Sequence, residues 1–201
     1  MILGENLPPI NNHFHWCRST ITYLLEENIA DVVRDNIKVA NNTDKEQYDR
    51  YKKYFENIIT DDVEKFTKMK YNNPVKWNYL KNNYNLLKHR YNAIQEGKLS
   101  ALVSPSDYLK INDEICKKII GLKLLNDLEV KSKSYHFLDR VIGNIEEKRN
   151  GVKIEDIIKT LINSNDIRRS YDNSYKIYGE NNIISINDEG NLIQVNPRGG
   201  K

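Results

Sequence analysis

Two residues set four apart, His136 and Arg140, carry the most suggestive chemistry in this sequence. At about 100° per residue, with His136 at zero, Arg140 falls near about 40° and Glu147 near about 20°. Leu138, Val141, Ile142 and Ile145 centre near about 190°, on the opposite side. The histidine and the arginine therefore share a face turned away from the apolar stripe. A group that titrates near neutrality beside a fixed guanidinium suits general acid/base work on a phosphate. Cleavage of RNA without a metal requires those two things, a proton carrier and a cation on the scissile phosphate. A plain solvated helix face has the same spacing, and both readings stand at this point.

Further polar residues join that face only if a sheet folds beneath it. Lys176, Ser185, Gln194 and Asn196 lie on three expected strands, and alternation puts Gln194 and Asn196 on one side of theirs. Lys176 also fits an edge-strand charge, and Asn196 before Pro197 fits a strand terminator. Arg168 and Arg169 precede the sheet as RNA-phosphate contacts or as a solvated pair. The basic tail, Arg198 to Lys201, would add non-specific affinity for nucleic acid. His13, His15 and Cys17 alternate, but three donors with no fourth nearby make a poor zinc set. Gly-rich phosphate loops, paired CxxC, HExxH and nucleophile elbows are absent. No metal or other cofactor is expected.

The elements that would position these residues follow from periodicity. Residues 18–24 read as a short strand and 26–43 as an Asn-rich linker. Helices are expected over 45–59 and 61–71, and over a long run after Pro74. In that run Trp77, Leu80, Tyr84, Leu87, Tyr91 and Ile94 recur at steps of three and four. This seam fits two helices packed together or a surface that docks a partner. Ser106 is expected to cap a further helix with Ile111, Ile115, Ile119 and Leu122 inward and Cys116 as a small structural residue. Residues 135–148 and 154–162 read as helices. Strands at 175–178, 182–186 and 192–196 follow, the last two joined by the loop 187–191. The fold class expected is α+β. A helical N-terminal and middle region precedes a small domain of two helices on an antiparallel meander.

Composition narrows the classes. The chain has 201 residues and a net charge of +3, from 31 Lys and Arg against 28 Asp and Glu. That balance does not suggest a bulk polyanion binder and leaves room for a local anion site. No apolar run approaches a membrane span, so no membrane partner is expected, and no signal peptide is legible. Two cysteines are too few for a disulfide scaffold and favour a reducing compartment.

Two segments resemble known families. Leu3-Gly4-Glu5-Asn6-Leu7-Pro8-Pro9-Ile10, followed by His15-Trp16-Cys17-Arg18-Ser19-Thr20, resembles the closing motif of phage minor head (head morphogenesis) proteins, with a shorter His-to-Cys spacing and Ser19 at the family's second cysteine. Ser134-Tyr135-His136-Phe137-Leu138-Asp139-Arg140-Val141-Ile142-Gly143, then Arg149-Asn150-Gly151-Val152, Ile183 to Asn187 and Gly190 to Pro197, resembles the phage branch of the barnase–EndoU–colicin E5/D–RelE class. Members are small α+β ribonucleases, often toxin domains, some fused behind phage head domains. The resemblance implies metal-independent RNA cleavage by 2′-hydroxyl attack. It maps His136 and Arg140 onto the helix motif, Ser185 onto a hydroxyl-bearing strand position, and Gln194 and Asn196 onto the polar strand end. Relatives often have Ser-Gln where this chain has Ser174-Tyr175.

The expected division is therefore 1–30, a head-protein remnant; 31–130, a helical spacer or docking region; and 131–201, the RNase-like domain. His136, Arg140, Lys176 and Ser185 are the expected catalytic residues. Gln194, Asn196, Arg168 and Arg169 are the expected substrate contacts. Partners would be RNA, with tRNA one candidate, an immunity protein, and portal or capsid proteins, in a virion or the bacterial host cytoplasm. A non-catalytic virion protein and a nucleic-acid-binding module are the competing readings.

Overall fold

The computed structural model describes residues 43–170 and 173–198. The expectations at residues 1–42, including the head-protein motif, the 18–24 strand and His13, His15 and Cys17, lie outside the described residues. So does most of the basic tail. The fold class is α+β: helices come first, and a largely antiparallel sheet closes the chain.

Residues 43–55 form α1, which passes through a 3-10 turn, Glu56–Ile58, towards α2 (Val63–Asn72) and α3 (Pro74–Gln95). Each of the two later starts is written in the sequence. Asp62 caps α2 at the Lys65 N–H, and Asn73 caps α3 at the Lys76 N–H, with Pro74 at the first helical position. The three helices close around aromatic side chains. Tyr51 lies 5.2 Å from Trp77 and 4.9 Å from Tyr84, ring centre to ring centre, and Phe66 packs edge-on to Trp77. The heptad-like seam of α3 is thus spent in part on helix packing, with Leu80 and Leu87 buried and Trp77, Tyr84 and Ile94 half-buried. Arg90, 3% exposed, spans the layer: Nη1 donates to Glu56 at 2.7 Å and Nε to the Val103 carbonyl at 2.8 Å.

Helix α4 (Pro105–Lys118) is capped by Ser104 rather than Ser106. Pro105 takes the first helical position, where a missing N–H costs nothing, and that leaves the preceding serine to cap. Ile115 and Ile119 are buried as expected, but Cys116 is exposed, so its sulfur is not part of the packing.

After a two-residue strand β1 (Ser132–Lys133), Ser134 caps α5 (Tyr135–Ile142). The helix stops six residues earlier than its apolar pattern predicts. Gly143 turns the chain with φ +84°, and a small hairpin of β2 (Gly143–Asn144) and β3 (Arg149–Asn150) follows. Ile145, expected on the apolar stripe, is 73% exposed on that hairpin. Helix α6 (Ile154–Asn163) leads to the meander β4 (Ile167–Arg169), β5 (Ser174–Tyr178), β6 (Asn182–Asn187) and β7 (Asn191–Pro197). The strand order is β1-β7-β6-β5-β4, with β1 parallel to β7 and the remaining pairs antiparallel. Helix α5 packs on β7, and α6 on β6 and β5. Ile177, Ile184, Ile186, Leu192 and Val195 are fully buried and make one face of the sheet apolar.

Gly143 and Gly151 meet back to back where α5 ends. A β-carbon on Gly143 would sit 2.4 Å from the Gly151 nitrogen, whereas one on Gly97, also at positive φ, would meet nothing within 4 Å. Gly97→Ala is expected to cost about 1 kcal/mol, as left-handed backbone alone demands. Gly143→Ala is expected to cost distinctly more, about 3 kcal/mol, because backbone must also move. Chemical denaturation of the two variants checks this; equal losses would contradict the close approach.

Candidate functional site

The site is best built from α5, because its surroundings differ on every side. Leu138 and Val141 are buried towards the sheet, and Phe137 is fully buried as well. Asp139 is turned the other way and is also buried, at 3% exposure. Its Oδ1 accepts from the Tyr108 hydroxyl of α4 at 2.8 Å, and its Oδ2 lies 2.8 Å from Nε2 of His89 on α3. The side opposite the apolar stripe is thus not an open face throughout. A buried carboxylate demands partners on both oxygens, and α3 and α4 supply them. Only the sector of His136, which is exposed, and Arg140, which is half-buried, remains open.

The electrostatics of this sector are cationic. Burial holds Arg140 below the ordinary arginine range, and the nearby Arg149 charge lowers it further. The buried Nε atoms of both arginines lack a hydrogen-bond partner. Arg149 donates through Nη2 to the Lys98 carbonyl, which draws the α3–α4 loop over the β2–β3 hairpin. Asn144 donates to the Gly97 carbonyl at 2.7 Å and Ser100 to Glu146 at 2.9 Å in the same seam. Arg140 and Arg149 thus bring two guanidinium charges close together beside the open sector of His136.

His89 has no spacing signal of its own in the sequence. Its ring stacks on Tyr135 at 4.6 Å and 22°, and its side chain is 29% exposed, so the imidazole is held on two sides and open on a third. The Tyr108 hydroxyl is pushed well above the ordinary tyrosine range, first by burial and then by the Asp139 charge. Lys133 is held low by burial, against the opposing pull of Cys116, Asp139 and Asp113. The only prior signal of this cluster was a lone aspartate inside the apolar pattern of α5, and sequence spacing cannot name a partner fifty positions away.

The strand residues assemble separately. Arg168, Lys176, Ser185 and Gln194 are successive cross-strand partners and form one polar row across β4, β5, β6 and β7. Asn196 lies two positions along β7 from Gln194, on the same face. Strand alternation puts that row on the face away from Ile177, Ile184 and Val195, and hence away from α5 and α6. The sheet does not fold its polar residues beneath the His136 face; it separates them from it. Arg168 chelates Asp166 with two bonds of 2.8 Å and lies 4.5 Å from the Tyr178 ring centre, while Lys176 has no ion-pair partner among the described residues. Arg169 points to the other face and reaches Asn173 at 3.5 Å.

Comparison with family models, curated proteins and solved structures returned no match. Among the described residues, no group of three or more His, Cys, Asp or Glu is placed to hold a metal ion, and no helix is long and apolar enough to cross a membrane.

A double-mutant cycle tests the Asp139 anchor. Tyr108→Phe is expected to cost about 1 kcal/mol. Asp139→Ala, which leaves the Tyr108 hydroxyl buried without an acceptor, is expected to cost about 2–3 kcal/mol. In the double variant the two losses are expected to fall well short of their sum. Urea denaturation reads all three, and strict additivity would break the link.

Proposed function

We propose that residues 131–201 form a metal-independent endoribonuclease domain that cleaves RNA through attack of the 2′-hydroxyl. The observation that carries this reading is the open sector of α5, where exposed His136 stands one turn before Arg140 and Arg149 adds a second cation. In this reading His136 moves a proton, and Arg140 and Arg149 hold the scissile phosphate and the charge that grows on it. The resemblance of residues 134–152 and 183–197 to the barnase–EndoU–colicin E5/D–RelE class supports the same chemistry. The proposed setting is a phage or prophage head-associated protein, on the resemblance at residues 3–20. An immunity protein and portal or capsid proteins are its proposed partners, in the virion or the host cytoplasm.

A second reading is favoured by the polar row on the sheet. Arg168, Lys176, Ser185, Gln194 and Asn196 suit a track for single-stranded nucleic acid that binds without cutting. The two readings share one experiment. Purified protein is incubated with total RNA and with tRNA in EDTA, and binding is measured across a salt series. The endoribonuclease reading predicts cleavage that falls about 10²- to 10⁴-fold in His136→Ala and about 10²-fold or more in Arg140→Ala. The binding reading predicts intact RNA, with affinity weakened and the salt slope reduced by about one in Lys176→Ala. Intact RNA with wild type at every concentration would remove the first reading.

A further inference from the structure

The proton carrier assigned above, His136, is exposed and makes no hydrogen bond among the described residues. Cleavage by 2′-hydroxyl attack needs two proton transfers, one from the nucleophile and one to the leaving oxygen. The helix that carries His136 also carries the carboxylate that orients a second imidazole. From the geometry at Asp139 we infer that His89 is the second catalytic residue of this cleft and the general base, with Asp139 and Tyr108 as its positioning residues. This inference rests on the RNA-cleaving reading.

Four features support it. Asp139 holds Nε2 of His89 at 2.8 Å, which favours the tautomer with its proton on that nitrogen and leaves Nδ1 as the acceptor. Tyr108, fully buried, fixes the other carboxylate oxygen, so Asp139 cannot swing. Tyr135 stacks on the imidazole and sets its plane. His136 precedes Asp139 by three positions, which makes the two side chains neighbours on α5 and brings both histidines to one end of the helix. The charged groups that face His89 are Asp139 and Glu96, with Lys98 and Lys133 acting on Asp139.

The step balances without a further reactant. The 2′-oxygen bonds to phosphorus as its proton passes to Nδ1 of His89. The bond from phosphorus to the 5′-oxygen breaks, and that oxygen takes a proton from His136. The products are a 2′,3′-cyclic phosphate and a 5′-hydroxyl. Arg140 and Arg149 hold the non-bridging oxygens throughout.

The test uses the full chain and a short RNA whose ends are resolved after cleavage, in EDTA. His89→Gln places an amide donor where Nε2 meets Asp139 and removes the imidazole. It is expected to lower kcat by about 10²-fold or more and to leave KM little changed. Binding to an oligonucleotide with a 2′-deoxy cleavage site is expected to match wild type. Undiminished cleavage by His89→Gln, with wild type active, would overturn the role of His89 alone. An inactive wild type would overturn the ribonuclease reading and this inference with it. Circular dichroism confirms folding. Should His89→Gln fail to fold, His89→Gly is assayed with added imidazole, where restored cleavage supports the role and a folded, unrescued variant overturns it.

Discussion

The Asp139 carboxylate joins the two halves of the described chain. It sits on α5 among side chains that are otherwise apolar, and it is nearly sealed from water. Such a group is tolerated only when its oxygens are answered, and breaking a buried polar pair typically costs several kcal/mol. The answering groups come from α3 and α4, far away in the chain. The helical layer is therefore held at a defined position on α5, and the loop after α3 falls onto the β2–β3 hairpin, where Asn144, Glu146 and Arg149 meet it. The buried apolar residues run as one cluster from Tyr48 to Val195, which is what such a junction produces.

Enclosure of α5 has a chemical consequence. The sheet covers one side, the helical layer another, and the hairpin closes the end beyond Gly143. What stays open carries His136 and Arg140, with Arg149 close by. Charges in such a sector are less screened than on a free surface. The opposite face of the sheet has a different character. Its polar row includes the buried Ser185, and Arg168 is already engaged with Asp166. The molecule thus carries a cationic sector on α5 and a polar row on the opposite face of the sheet.

Local signals located most of the elements. Pro74 marks the start of α3 because proline geometry depends on immediate neighbours. The strands 175–178, 182–186 and 192–196 were legible from β-branched residues and the turn between them. Where one rule competed with another, the reading slipped. Ser104 took the cap from Ser106 because of Pro105, and Gly143 ended α5 before its apolar period ran out. Strands β1 and β4 were not legible, since two- and three-residue strands exist only by pairing with a neighbour.

The candidate site divides in the same way. The shared face of His136 and Arg140 follows from spacing alone, because a helix places residues four apart side by side whatever surrounds it. The cross-strand row of Arg168, Lys176, Ser185 and Gln194 needed register, and its position on the far side of the sheet needed the packing of α5 and α6. The pairing of His89 with Asp139 needed the whole tertiary structure. Short-range geometry repeats along a chain and can be read from it. A contact between residues fifty positions apart depends on how helices and sheet close over one core, and only the folded chain decides it.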